Sequence, residues 1–250
     1  MKGQLNSARV GALALCLMLL SACSSAPTSS SLGVDPDPRD PYENFNRKVY
    51  SFNDAVDKSV LVPVVNVYET VTPDILEQGV SNFFSNLRDI GNFLNHTLQL
   101  KPKKAANDLG RLIVNSTIGI GGLMDIASQA GVYQESEDLG QTLAYWGIGS
   151  GPYVVLPFLG PSTIRDASAS AVDTVASPVQ KYDPTTGKLP LTVLELIDLR
   201  HSLGDFGSLI KGDPYVFVRE AYLQRREYMI NDGLPSGSED FEDFEDFEDF

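Results

Sequence analysis

The chain has 250 residues, of which 42% are hydrophobic and 9% aromatic, enough apolar material for one large domain or two small ones and too much for wholesale disorder. Its 33 acidic and 19 basic residues give a formal net charge of −14. So acidic a chain repels phosphate backbones, which argues against a nucleic-acid partner and against a purely electrostatic attachment to anionic lipid headgroups.

The N-terminal segment is typical of an exported lipoprotein precursor. Two basic residues precede an uncharged apolar run, Val10 to Leu20, which is too short to span a bilayer as a helix and fits the apolar core of a secretory signal. The run ends in Leu20-Ser21-Ala22-Cys23, which resembles the bacterial lipobox. We therefore predict that residues 1–22 are a signal peptide and that Cys23 carries the lipid anchor. An ordinary secretory signal is the alternative.

The residues around this cysteine also indicate a location. Ser24 follows Cys23, whereas enterobacterial lipoproteins retained in the inner membrane have Asp at that position. We therefore expect a Gram-negative outer membrane, with the protein anchored in its inner leaflet and facing the periplasm. The other cysteine, Cys16, leaves with the signal. The exported body then has no thiol for a disulfide, a zinc site or a nucleophile.

Both ends of the exported chain have compositions that oppose regular structure. Residues 23–41 are rich in Ser and then read Asp-Pro-Asp-Pro-Arg-Asp-Pro, which predicts an extended tether. Residues 233–250 end in four repeats of Glu-Asp-Phe, which predicts a disordered acidic tail. This tail is either simply solvated or a ligand for a basic patch on a periplasmic partner. The folded body is expected over residues 42–232.

Helical spacing dominates this body. Two apolar stripes recur at steps of three and four residues, the second widened by Ile75, Phe84 and Phe93. The stripes are Phe45, Val49, Phe52, Val56 and Val60, and then Leu76, Val80, Phe83, Leu87, Ile90 and Leu94. Further helices are predicted near 103–117, 161–177, 191–203 and 214–230, with N-caps at Ser162 and Asp213. Since no alternating run is long enough for a sheet, the prediction is a mostly α, single domain.

The segment from Leu139 to Ile164 is the most informative, because its 26 consecutive residues carry no Asp, Glu, Lys, Arg or His. Five glycines and three prolines within it rule out a regular spanning helix. Two interpretations stay open. The segment is either a buried loop and hairpin of a soluble core, or a stretch hinged at Gly147, Gly149 and Gly151 that borders an apolar passage.

Sequence signals for catalysis are weak. The chain has two histidines, His96 and His201, and lacks GxSxG, HExxH, CxxC and phosphate-binding glycine motifs. His96 is expected to be a structural histidine, helix-terminal or partly exposed. His201 is expected to lie at a helix end, where the helix dipole stabilises a cation. We predict neither an enzyme nor a bound cofactor or metal.

Several blocks of the body resemble the MlaA (VacJ) family of outer-membrane lipoproteins, in the order in which that family has them. They extend from residue 40 to about residue 230. The blocks include Asp40-Pro41-Tyr42-Glu43-Asn44-Phe45-Asn46-Arg47, Tyr50-Ser51-Phe52-Asn53, Asp138-Leu139-Gly140-Gln141-Thr142-Leu143, Trp146-Gly147-Ile148-Gly149, Gly151-Pro152-Tyr153-Val154-Val155-Leu156-Pro157, Gly160-Pro161-Ser162-Thr163-Ile164-Arg165-Asp166 and Asp213-Pro214-Tyr215.

This resemblance implies a helical ring that lies in the inner leaflet of the outer membrane around a central amphipathic channel. Phospholipid misplaced in the outer leaflet would pass through the channel to a periplasmic carrier of the MlaC kind, and trimeric porins would hold the ring in place. The family lacks enzyme activity. The alternative is a lipoprotein scaffold for a porin or an envelope assembly complex that transports nothing.

Two groups of residues are candidates for the conduit. The gate or hinge is predicted at Gly147, Gly149, Gly151, Pro152 and Pro157. Residues predicted to face the membrane or line the channel are Phe45, Phe52, Phe83, Phe84, Phe93, Tyr153, Leu156 and Phe158.

Overall fold

The computed structural model of the chain describes residues 37–181, 187–204, 210 and 212–233. The predicted signal peptide, the anchor at Cys23, most of the tether and all but the first residue of the acidic tail lie outside the described residues. Asp40, predicted to be in the tether, is 2% exposed, so the packed body begins at least this early.

The described chain is mostly helical, as the spacing predicts. In chain order its elements are α1 (Glu43–Val56), a π-helical turn (Asp57–Leu61), α2 (Val62–Val71), α3 (Asp74–Leu98), α4 (Pro102–Thr117), α5 (Ile126–Gln129), α6 (Leu139–Tyr145), β1 (Tyr153–Leu156), β2 (Gly160–Thr163), α7 (Ile164–Ala176), a 3₁₀ turn (Pro178–Lys181), α8 (Leu189–Leu203) and α9 (Pro214–Ile230). Among the helices of the described ranges, none is both long enough and apolar enough to cross a membrane.

The ends of several helices follow from their residues. Pro102 and Pro214 stand in the first turns of α4 and α9, where their missing N–H is not needed. The Asp213 carboxylate accepts the Tyr215 N–H at 3.0 Å, which confirms the predicted cap. The π-helical turn lies just before Pro63, which lacks the N–H that would bond to the Ser59 carbonyl, so the regular helical pattern is interrupted there.

The expectation that the body has no sheet is wrong for one short stretch. β1 and β2 pair antiparallel, with Tyr153 opposite Thr163 and Leu156 opposite Gly160. Four-residue strands are too short to show a recognisable alternation. Because β2 runs to Thr163, α7 starts three residues later than predicted, and its N-cap is Thr163 rather than Ser162.

The packing between helices is unusual because polar faces are buried. The described residues with little solvent exposure include twenty polar or charged side chains and ten apolar ones. On α3 the buried polar residues fall three or four positions apart, and they face a matching stripe on α4. These two stripes are Asn86, Asp89, Asn92, Asn95 and His96 on α3, and Asp108, Arg111 and Asn115 on α4.

The apolar faces of the same helices point outward. Leu94 and Leu98 of α3 are about half exposed, and Ile113 of α4 is 54% exposed. A second exposed stripe runs along α2 and a third along α8, again at helical spacing. Their members are Val64, Val67 and Val71 on α2, and Leu189, Val193, Leu196, Leu199 and Leu203 on α8. A body that buries polar stripes and exposes apolar ones is adapted to apolar surroundings.

Candidate functional site

Two asparagines of α1 hold the hairpin β1–β2 against the helix. The Asn46 amide accepts the Val155 N–H at 2.9 Å and donates to the Tyr153 carbonyl at 3.1 Å, as a neighbouring strand would. Two turns further along α1, Asn53 accepts the Phe158 N–H at 2.8 Å and donates to the Leu156 carbonyl at 2.9 Å. The edge of β1 is therefore satisfied by a helix.

A small core completes this attachment. Tyr153 and Val155 pack with Val49 of α1 and Tyr215 of α9. The buried Asp40 carboxylate accepts a hydrogen bond from the Tyr215 hydroxyl. It accepts another from the Arg219 guanidinium at 3.1 Å. The hairpin is thus fixed at its base, and its tip, with Phe158 71% exposed, projects from the body.

A cavity of about 680 Å³ opens beside the hairpin. It lies between α1, the π-helical turn, the hairpin, the C-terminal end of α8 and the start of α9. The apolar part of its wall includes Tyr50, Val62, Tyr153, Val155, Leu203 and Val218. This volume falls within the range of small-molecule binding sites in proteins.

The rest of the cavity wall is charged. Lys58 binds Asp54 at 2.8 Å, and Arg200 binds Asp57 through two nitrogens at 2.7 and 3.2 Å. Arg200 also donates to the Gly204 carbonyl at 2.9 Å, which ties the end of α8 to the π-helical turn. The cavity is therefore amphipathic, apolar along one wall and ionic along another.

The predicted gate lies in the loop between α6 and the hairpin. Gly147 and Gly151 have φ values of +85° and +67°, which favour glycine, whereas Gly149 does not have positive φ. A Cβ atom added to Gly147 or Gly149 would have open space around it. Pro152 is half-buried, and Pro157 is exposed at the hairpin turn. Gly147 and Gly151 thus have backbone conformations that favour glycine, and a side chain at position 147 would meet no neighbouring atoms.

One buried arginine attaches this loop to α7. The Arg165 guanidinium donates a hydrogen bond to the Ile148 carbonyl at 3.2 Å, and the backbone N–H of Arg165 donates one to the Ser150 carbonyl at 3.1 Å. Its Nε binds Asp166 at 2.9 Å. The sequence places Arg165 just beyond the uncharged segment, and the structure turns it back onto the glycine loop.

A second arginine network ties the start of α6 to α7 and α9. Arg226 of α9 binds the Asp138 carboxylate at the start of α6 at 2.6 Å and Asp166 at 3.0 Å. Burial alone would raise the pKa of Asp138, but the charge and hydrogen bonds of Arg226, together with the hydrogen bonds from Gln141, outweigh burial and lower this pKa below its usual value. A Cβ atom on Gly140 would lie 2.3 Å from the Arg226 guanidinium, so this contact needs glycine there.

The polar seam between α3 and α4 contains His96. Its Nδ1 lies 2.6 Å from Asp108, and its Nε2 lies 3.4 Å from Glu137. Burial disfavours the imidazolium, but the hydrogen bond to Asp108 and the nearby Glu137 carboxylate outweigh burial and raise the pKa of His96 to about 9. His96 is in the last turn of its helix, as expected, but it is fully buried rather than partly exposed. His201 lies near the end of α8 and binds Glu69 at 2.7 Å.

The predicted membrane-facing or channel-lining residues divide by exposure. Phe45, Phe52 and Phe158 are about half exposed or more, and the rings of Phe52 and Phe158 contact each other edge to face, with centroids 5.2 Å apart. Phe83, Phe93 and Leu156 are half-buried. Tyr153 is 1% exposed and lies in the cavity wall. Phe84 is fully buried in the described body, so it does not face the membrane from there.

Sequence reasoning missed the asparagines and the polar seam. Asn46 and Asn53 lie seven residues apart, two turns of one helix face, which is the signal that could have identified a shared role. The buried polar residues of the seam recur along α3 with the same helical period as the apolar stripe of that helix. Within the described ranges no group of His, Cys, Asp and Glu side chains could hold a metal ion.

These features define a class of protein: a small helical body with outward apolar faces, a polar interior and an amphipathic cavity beside its hairpin. The sequence profile of the family described as MlaA lipoprotein matches residues 38–229. The intermembrane phospholipid transport system lipoproteins MlaA of Shigella flexneri and Escherichia coli K12 are each 35% identical to the chain over 232 residues, 90% of this chain and 90% of theirs.

Two further comparisons agree. An uncharacterised protein of Rickettsia typhi is 35% identical over 192 residues, 75% of this chain and 76% of its own. A solved structure described as "Structural basis for maintenance of bacterial outer membrane lipid asymmetry" superimposes with a TM-score of 0.68 at 34% identity, and the match covers 76% of this chain and 98% of the other. The chain belongs to the MlaA lipoprotein family, as its motifs indicate.

Proposed function

We propose that this protein removes misplaced phospholipid from the outer leaflet of a Gram-negative outer membrane and passes it through an amphipathic channel to a periplasmic carrier. In this role it maintains lipid asymmetry and catalyses no reaction. The single observation that carries the proposal is the inverted amphipathicity of α3 and α4. Their buried seam is ionic, and their outward faces are apolar, an arrangement suited to helices that lie in a lipid leaflet.

The names of the relatives support the same role. The MlaA proteins of Shigella flexneri and Escherichia coli are named for intermembrane phospholipid transport, and the matched structure concerns outer-membrane lipid asymmetry. The organisation that fits this role is a signal peptide over 1–22, a tether over 23–41 from acylated Cys23, a conduit domain over 42–232 and an acidic tail over 233–250. The anchor would hold the domain at the inner leaflet.

A conduit for phospholipid needs an apolar wall for two acyl chains and a polar wall for the headgroup. The cavity beside the hairpin has both kinds of wall, and we assign it to the proposed channel. We also propose that the body forms a ring around this channel. Trimeric porins would hold the ring in place, and a periplasmic carrier would receive the phospholipid. The glycine loop lies on the chain just before the hairpin, and Arg165, just after the hairpin, bonds back to that loop, which suits a gate.

Membrane partition tests the conduit against the scaffold alternative. The exported body with Cys23→Ser has no acyl anchor, so only its own surface can retain it in the membrane. We expect this variant to stay with outer-membrane vesicles and to require detergent for extraction. A monomer that is fully soluble without detergent would contradict the conduit and favour the scaffold. The acylated wild-type protein is the positive control.

A further inference from the structure

We propose that the cavity selects phospholipids with zwitterionic headgroups, such as phosphatidylethanolamine, over anionic ones, such as phosphatidylglycerol. This inference rests on the proposed function, and it adds the headgroup class that the same site accepts. It is based on the charged wall formed by Asp54, Asp57, Lys58 and Arg200.

The first step is the balance of charge. The two carboxylates and the two cations lie in adjacent pairs, Lys58 with Asp54 and Arg200 with Asp57, so the charges of the wall residues that the structure describes sum to zero. A wall of this kind offers no overall attraction to an anionic headgroup. A zwitterion, in contrast, presents a phosphate to the cations and an ammonium to the carboxylates, so both of its charges find opposite partners.

The second step is that a bound headgroup can replace one of these ion pairs. The Lys58 and Asp54 side chains are 71% and 37% exposed, and such pairs contribute little to stability, so a ligand can replace them at small cost. Arg200 and Asp57 are less exposed, at 22% and 32%, and Arg200 is also anchored to the Gly204 carbonyl. One pair is therefore free to open toward the headgroup while the other holds the wall in place.

The third step is the position of the charges relative to the apolar wall. Tyr50, Asp54 and Lys58 succeed one another at helical spacing along α1 and the π-helical turn, so the apolar and ionic surfaces adjoin. Val155 and Leu203 line the same cavity. An acyl chain on the apolar side then places its headgroup beside the two ion pairs.

The test compares two variants that break the same ion pair but leave opposite charges. Asp54→Asn leaves the Lys58 ammonium unpaired, and Lys58→Gln leaves the Asp54 carboxylate unpaired. The acylated full-length protein is purified in detergent and equilibrated with equal amounts of phosphatidylethanolamine and phosphatidylglycerol of identical acyl chains. The bound lipids are then extracted and quantified. Glu135→Gln is the matched control for Asp54→Asn, since it breaks a 2.6 Å pair with Lys104 outside this cavity; Lys104→Gln, which also removes a 3.1 Å contact with Asp232, is the control of opposite sign.

We expect wild type to enrich phosphatidylethanolamine about threefold or more over the mixture. Asp54→Asn should shift the ratio several-fold toward phosphatidylglycerol, Lys58→Gln should shift it the other way, and both controls should match wild type. Equal retention of the two lipids by wild type, or shifts in the same direction for both variants, would overturn the headgroup inference and leave the proposed function standing. If no phospholipid binds at all, the proposed function fails together with the inference.

Discussion

His96 of α3 and Asp108 of α4 form a fully buried pair, with Nδ1 2.6 Å from the carboxylate. This pair lies at the end of the polar seam nearest the connection between the two helices, and the seam holds these adjacent helices together by polar contacts. Because the outward faces of the same helices are apolar, the seam takes the role that a hydrophobic core has in a water-soluble bundle. The stability of the body should therefore respond to pH and to single polar substitutions.

The first prediction concerns pH. The pKa of His96 is about 9 in the folded protein, above its ordinary value of 6.5, so its stabilising effect is fully present below pH 6.5 and is lost as the pH rises through about 9. In thermal unfolding of detergent-solubilised protein, the difference between wild type and His96→Gln should be large at pH 6 and shrink toward pH 10. A difference independent of pH would count against a charged His96.

A control for this prediction is available on α8. His201 is one-third exposed and pairs with Glu69 at the surface, so His201→Gln should lower the free energy of unfolding by less than about 1 kcal/mol. His96→Gln leaves Asp108 buried without a charged partner, and such losses cost about 3–5 kcal/mol.

The second prediction concerns the attachment of the hairpin. Asn46→Ala leaves the buried Val155 N–H and Tyr153 carbonyl without their partner, so we expect a loss of about 2–3 kcal/mol in the free energy of unfolding. Asn53→Ala acts at the more exposed tip and should cost about half as much. Chemical denaturation of the two variants side by side would measure this order, and a larger effect of Asn53→Ala would refute it.

The third prediction tests the gate. Gly147 and Gly131 have nearly equal φ values, +85° and +87°, and neither has a heavy atom within 4 Å of an added Cβ. Gly147→Val and Gly131→Val should therefore cost the same stability, about 1–2 kcal/mol. Only Gly147→Val should raise outer-leaflet phospholipid in cells. Equal phospholipid levels in the two variants would remove Gly147 from the gate.

The fourth prediction concerns the exposed stripe of α8. Leu196 and Leu199 are 43% and 53% exposed, and in water their replacement by Asn would be nearly neutral for folding. If this stripe contacts acyl chains, the double variant in the Cys23→Ser background should fold but leave the membrane more readily. A floatation assay measures this, with Arg88→Gln, an exposed polar position on α3, as the control. Unchanged floatation would exclude the stripe from the membrane contact.

The sequence predicted the helices well because their apolar stripes have the helical period whether those stripes face a core or a lipid. The pattern does not say which face is buried, so the buried Phe84 and the exposed Leu94 of α3 could not be told apart from it. The motif comparison identified the family across nearly the whole body. The cap at Asp213 was predictable because a capping residue followed by Pro is a local signal.

Other features depend on contacts that are distant along the chain. Asn46 and Val155 are 109 residues apart, and Arg200 and Asp57 are 143 apart, so no local pattern could pair them. The hairpin was missed as a sheet because its two strands have only four residues each, too few to show an alternating pattern. The amphipathic wall of the cavity likewise exists only after α8 and α9 have packed beside α1.

Phospholipid in the outer leaflet of intact cells is the measurement that tests the central claim most directly. A strain without this protein should accumulate phospholipid on its surface, detected by labelling intact cells, and expression of the wild-type chain should restore the normal level. The Cys23→Ser protein, exported without its lipid anchor, should restore it less well. A deletion strain whose surface phospholipid stays at the wild-type level would contradict the account.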